Sequence, residues 1–321
     1  MSAGGGTRAI IAALLANAGI ALAKFVAYLV TGSAAMLAES IHSVADTANQ
    51  GLLLLGGRQS RRVADQDHQF GYGRERYFWS FVVALVLFSL GGLYSIYEGI
   101  SKILHPHELT SIGWAFAVLL VAVALESFSF RTAVGEARKV KGEREWVEYV
   151  RTSRSPELPV VLLEDAGALL GLCLALIGLG LYVVTGDVIW DAIGTLCIGT
   201  LLLIIATFLS VEMKSLLIGE AALEEHIMAI DQVLLASPHV RRVIDLRTQH
   251  LGPEELLVAA KIEFTETLTT PQVAAAIDVA EAAIRRALPY ASRIYLEPDV
   301  WKDGHVPTPD AAQGTGEAAQ Q

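Results

Sequence analysis

The stretch with the most chemistry in it is Leu37 to Gln50, where Glu39, His42, Asp46 and Asn49 stand in an otherwise small and apolar run. His42 and Asp46 are four apart, so on a helix both side chains lie on one face. Glu39, three residues before His42, and Asn49, seven after it, extend that stripe. Imidazole nitrogen with carboxylate oxygen suits zinc and its transition-metal neighbours. Ionisable groups inside a membrane segment are expensive, and their default reading is functional. The competing reading is a polar stripe that only joins helices.

A second acidic pair, Glu164-Asp165, follows Ser155 and Pro156, which read as the cap and first residue of a helix. At 1.5 Å per residue, Asp165 then sits roughly 14 Å into the membrane, and Asp46, ten residues before the helix end expected at Gly56-Gly57, roughly 15 Å deep from the same side. The two carboxylates can meet near the midplane. Glu164 points about 100° away from Asp165; it reads as a ligand, a proton carrier or a partner for Lys24. The plainer reading of the pair is an ordinary helix start at the membrane edge. Asn17 and Lys24 share a face, with Lys24 expected as a structural counter-ion. Glu126, with Ser127 and Ser129, reads equally as lining an access path or as snorkelling to the surface.

Positioning these groups takes membrane helices. Of 321 residues 53% are hydrophobic and only 18% charged, too apolar for an ordinary soluble domain. Six segments, near 9–32, 34–56, 77–103, 112–134, 156–184 and 188–212, have the roughly 20 residues that a span needs. Met1 to Arg8 is a short polar lead, and neither a signal peptide nor a transit peptide is expected. Cys173 and Cys197, both inside apolar runs, are expected as buried packing residues. A net charge of -10 excludes a nucleic-acid partner. The second-to-third and fourth-to-fifth connections are rich in Arg and Lys, whereas the alternate loops contain none. Both termini are therefore expected in the cytoplasm.

Beyond Val211 charges return and apolar runs shorten. Glu224–Ala236 reads as a helix, and Val240–Thr248 and Glu255–Phe264 as strands about a Gly252-Pro253 turn. A helix is expected from Thr270, with Thr-Pro as its start, and a last strand over Arg293–Leu296. This α-β-β-α-β order suits two helices on one face of a small sheet. The expected division is a six-helix transmembrane domain over 1–212, a cytoplasmic domain over 213–300 and a disordered tail over 301–321.

With the run Ala38 to Asp46, the loop Asp67 to Arg74, and Asp191 to Gly194 at the start of the sixth segment, the chain resembles the cation diffusion facilitator family of metal transporters. Ile41–Leu54 and Val160–Gly171 look most like its zinc transporter 9 branch. The resemblance implies a homodimeric antiporter whose metal binds between the second and fifth segments, with His42, Asp46 and Asp165 at the family's metal positions. It also implies a ferredoxin-like C-terminal dimerisation module. Three positions depart from the family. Val161 stands where the fifth segment usually has a His, and Glu164, Glu39 or water is the expected replacement ligand. Tyr72 stands where the loop often has a second His beside Asp65 and His68, so that loop reads as solvated. Tyr295, Glu297 and His250 do not make the family's His-rich ligand set, so no binuclear metal site is expected in the soluble domain.

Metal and protons would compete for the same groups, because a divalent ion binds neutral imidazole and deprotonated carboxylate. The expectation is a transporter, not an enzyme, that exchanges Zn2+ for protons across a lipid bilayer, set in a prokaryotic inner membrane. The competing functions are a transporter of manganese, iron or cobalt, a membrane acyl transferase using the HxxxD spacing, and a non-transporting scaffold. The acyl transferase lacks a visible oxyanion site, and a scaffold has no need of midplane acids.

Overall fold

The computed structural model describes residues 3–31, 34–106 and 112–302, with the side chains of 3–6, 30–42 and 45 outside the description. The tail expected to be disordered falls, beyond Lys302, outside the described residues. The chain divides into two compact units, Met1–Ile218 and Gly219–Gln321.

The first unit is helical. α1 (Ala3–Thr31) and α2 (Ala34–Gln59) precede α3 (Glu75–Val86), which passes through a π-helical segment, Leu87–Leu93, into α4 (Tyr94–Leu104). Then come α5 (Ile112–Lys141), the short α6 (Trp146–Thr152), α7 (Glu157–Thr185) and α8 (Ile189–Ile218). Among the described residues, 5 helical runs are long and apolar enough to cross a membrane: Thr7–Leu29, Glu75–Leu104, Ile112–Lys141, Glu157–Thr185 and Ile189–Ile218. α2 is not among them, since its polar stripe lowers its hydropathy.

The helices pack into one bundle, with α7 against both α5 and α8 and α2 against α3. α1 lies against α2, α5 and α7, while the α3–α4 run lies along α8. Small residues allow the second contact. A Cβ on Gly92 would come 2.5 Å from Leu203 Cδ2, and one on Gly199 would come 2.8 Å from the Ile96 backbone nitrogen. Ion pairs close both ends: Arg76 forks onto Glu157, joining α3 to α7, and Lys102 Nζ lies 2.8 Å from Asp191 Oδ2, joining α4 to α8. Beside the first pair, the Tyr77 hydroxyl donates to the Arg154 carbonyl at 3.2 Å.

Several details differ from the sequence reading. Pro156 is the cap of α7, without a side-chain hydrogen bond, and Glu157 its first residue. α6 lies in a connection read as loop. Cys173 and Cys197 are exposed on the outer surface of the bundle, not buried. Around these two residues both helices are apolar on every side, so periodicity names no inner face for a thiol there.

The second unit is α9 (Glu224–Leu235), β1 (Val240–Gly252), β2 (Glu255–Phe264), α10 (Thr270–Ala287) and β3 (Ala291–Pro298). Its sheet has the order β1-β2-β3, with β1 and β2 antiparallel and β2 and β3 parallel. Ile230 and Leu234 of α9 and Ala280 and Ile284 of α10 pack with Val258, Ala260, Ile262 and Ile294 into one core. The cap of α10 is Thr269, one residue before the expected start, in a capping box with Gln272. The strand ends also extend further than read, because ladder hydrogen bonds carry β1 to the tight turn and β3 along β2.

Candidate metal centre

Glu164 of α7 is held by a chain of buried amides. Glu164 Oε2 accepts from Gln50 Nε2 at 2.8 Å, and Glu164 Oε1 from Asn49 Nδ2 at 3.3 Å. Gln50 Oε1 in turn accepts from Asn17 Nδ2 of α1 at 3.4 Å. All four side chains are buried. The network joins α1, α2 and α7, where unsatisfied polar groups would be costly. Lys24 Nζ donates to Ser43 Oγ at 2.9 Å, adding a second link between α1 and α2.

Asp165 faces α5. Its Oδ2 accepts from Ser129 Oγ at 2.6 Å, and both residues are buried. Glu126, one turn before Ser129 on the same face, is 5% exposed, so it does not snorkel. Its Oε2 is buried without a hydrogen-bond partner among the described residues. Asp165, Asp46 and Lys24 all act on it electrostatically, and Asp46, Asp165 and Glu126 act on Glu164. Val161, one turn before Asp165, is fully buried in the apolar core.

The structure therefore brings Asp46, Glu126, Glu164 and Asp165 into one polar interior, with Asp46 half-buried on α2. Among the described residues, no three His, Cys, Asp or Glu side chains are close enough to hold a metal ion. The side chains of Glu39 and His42 lie outside the described residues. Sequence reasoning missed Gln50, which lies one position beyond the stripe, and the hold of Ser129 on Asp165. A hydroxyl three residues from a membrane Glu was the signal for the second.

In the loop before α3, Asp65 is already satisfied. Its Oδ2 accepts from the Tyr72 hydroxyl at 2.5 Å and its Oδ1 from the backbone N–H of His68 at 2.8 Å and of Asp67 at 3.1 Å. The His68 ring lies 4.4 Å from the Tyr72 ring, and Arg62 covers the Tyr72 ring at 4.2 Å. The Tyr72 hydroxyl holds the Asp65 carboxyl below its ordinary range, and Asp65 holds the phenol above its own. In the second unit, the Tyr290 hydroxyl lies 2.7 Å from His226 Nδ1, and His250 stacks on the Tyr290 ring at 6.1 Å.

A helical bundle with acids at its centre, followed by a small α/β unit, matches two family models in sequence order. Residues 10–218 match the cation efflux transmembrane domain, and residues 222–299 match the cytoplasmic domain of the cation efflux protein. The chain belongs to the cation efflux family. It is 35% identical to the proton-coupled zinc antiporter SLC30A9, mitochondrial, of Mus musculus, over 77% of this chain and 44% of that one. It is 30% identical to metal tolerance protein C4 of Arabidopsis thaliana, over 80% of this chain and 57% of that one. It is 28% identical to the cation-efflux pump FieF of Klebsiella pneumoniae, over 96% of each chain. The chain thus spans less than two thirds of the length of the first two relatives.

Proposed function

We propose that this chain is a multi-pass membrane transporter that exchanges a divalent transition metal, zinc foremost, for protons by alternating access. The observation that carries the reading is the buried Asp165 of α7, hydrogen-bonded to α5 in an interior that α2 lines with Asp46. Membrane-buried carboxylates mark ion pathways. The names of the relatives, a proton-coupled zinc antiporter and a cation-efflux pump, favour this cargo.

His42, Asp46 and Asp165 are the proposed ligands. Glu164 and Glu39 are the further candidates, although the two amides on Glu164 suit it to anchoring α2 against α7. α2 is the proposed sixth span, needed to bring its stripe to the depth of Asp165. The α-β-β-α-β unit is read as a ferredoxin-like dimerisation module of a homodimer, in keeping with the cytoplasmic-domain match. The proposed division remains 1–212, 213–300 and a tail over 301–321. The Arg- and Lys-rich connections support termini in the cytoplasm. The full-length likeness to a Klebsiella protein favours a prokaryotic inner membrane, while the relative described as mitochondrial makes a mitochondrial membrane the second setting.

Protons from the far side would displace the metal from imidazole and carboxylate, and metal from the cytoplasm would displace the protons. No covalent step is involved. In reconstituted liposomes, His42→Ala and Asp46→Ala are expected to abolish metal flux while leaving the dimer intact. Wild-type flux from both variants would refute the ligand assignment. A second cargo, manganese, iron or cobalt, is favoured by one observation, the apolar Val161 where a nitrogen donor is usual, since carboxylate-rich sites lean toward harder ions.

A further inference from the structure

We propose that Glu126 of α5 is a further anionic ligand for the transported cation, supplying from a third helix the donor that α7 lacks at Val161. The proposal rests on the transporter reading and deepens it, because it names the donor set that selects the cargo.

Val161 offers only methyl groups, and it is fully buried one turn from Asp165. Glu164, the nearest acid on the same helix, has both oxygens engaged by Asn49 and Gln50. Glu126 is different. It is 5% exposed, and its Oε2 is buried with no hydrogen-bond partner among the described residues. A buried oxygen without a donor is costly and calls for a cation or a proton. The face of α5 that holds Glu126 is turned toward Asp165, because Ser129, three residues later on that face, bonds the Asp165 carboxylate at 2.6 Å.

The charges around Glu126 point the same way. Asp165 of α7 and Asp46 of α2 are the anions acting on it, and Lys24 of α1 is the cation. Lys24 Nζ also donates to Ser43, so its charge is shared with α2. Ionised, these acids repel one another. A divalent ion would reverse that repulsion and draw α2, α5 and α7 together around it. Asp46, Asp165 and Glu126 with the single imidazole of His42 make a harder site than one with two imidazoles, so manganese should be accepted alongside zinc.

The test is zinc and manganese titration of the purified protein by calorimetry, with flux measured in liposomes, for wild type, Glu126→Gln, Glu126→Asp and Asp165→Asn. Partners one shell further out already change metal affinity about 10- to 100-fold, so Glu126→Gln should weaken zinc binding at least ~10-fold. Manganese should lose more than zinc, and Glu126→Asp should recover most of the affinity. Should Glu126→Gln fail to fold, the paired substitutions Glu126→Cys and Asp165→Cys replace it, with Cd2+ expected to protect both thiols from maleimide. Loss of binding in Asp165→Asn with wild-type affinity in Glu126→Gln, or no Cd2+ protection of the paired thiols, overturns the proposal and leaves the transporter reading standing. Wild-type binding and flux in Asp165→Asn overturn both.

Discussion

Glu157→Ala is expected to destabilise the transmembrane unit more than any surface substitution, because it removes the carboxylate that the largely buried Arg76 guanidinium grips. The Arg76 side chain is 15% exposed and that of Glu157 5%, and the guanidinium grips the carboxylate through both Nε and Nη2. Removing one partner of a buried pair costs roughly 3–5 kcal/mol, mostly from the charge left unpaired. With a midpoint shift of about 2–4 °C per kcal/mol for a unit of this size, the loss corresponds to roughly 6–20 °C. Replacing both partners by apolar residues of similar volume, Arg76→Met with Glu157→Leu, removes both buried charges together and should be neutral or stabilising by about 1–4 kcal/mol. The assay is thermal unfolding of the purified protein in detergent, followed by tryptophan fluorescence for wild type, both single variants and the double variant. Because Glu157 opens α7, which carries Asp165 eight residues on, the single variant should also lower metal flux while the double variant restores it. A Glu157→Ala midpoint within a degree or so of wild type, or a double variant as unstable as the single, refutes the reasoning.

Two further outcomes follow from the packing and from the loop. Gly199→Ala must push the Ile96 backbone away from 2.8 Å, so it should destabilise the α4–α8 contact by about 1–3 kcal/mol, read as a lower unfolding midpoint; an unchanged midpoint would contradict that packing. The Asp65–Tyr72 bond should make the loop before α3 pH-sensitive at both extremes. Asp65 is depressed in the fold, so its contribution is present above its ordinary value and lost as pH falls through the lowered one. Tyr72 is raised, so its contribution is present below its ordinary value and lost as pH rises through the raised one. Tyr72→Phe should move the acid opening of the loop, followed by limited proteolysis, to higher pH; an unshifted profile would contradict the bond.

The legible part of the fold was what periodicity and length encode. Long apolar runs announced the membrane helices, and turn chemistry announced the α-β-β-α-β unit, because a Gly-Pro turn and a Thr-Pro start leave few alternatives. The His42, Asp46 and Asp165 candidates stood out because charged side chains are rare in apolar helices. Helix rotation was not legible. α7 and α8 are apolar on every side around Cys173 and Cys197, so these read as buried although they lie outside, and Glu126 read equally as snorkelling although it lies inside. The π segment at Leu87–Leu93 and the short α6 escaped for a related reason, since tertiary contact and not local propensity decides them. The role of Gln50 needed the third dimension, because its partners are 33 residues before it and 114 after it.

Exchange of metal for protons through Asp165 can be followed in liposomes with a metal-sensitive dye and a pH dye inside. Zinc added outside should enter as protons leave, faster with an acidic interior, and both signals should vanish in Asp165→Ala. Zinc entry that ignores the pH gradient, or that survives Asp165→Ala, would contradict the account.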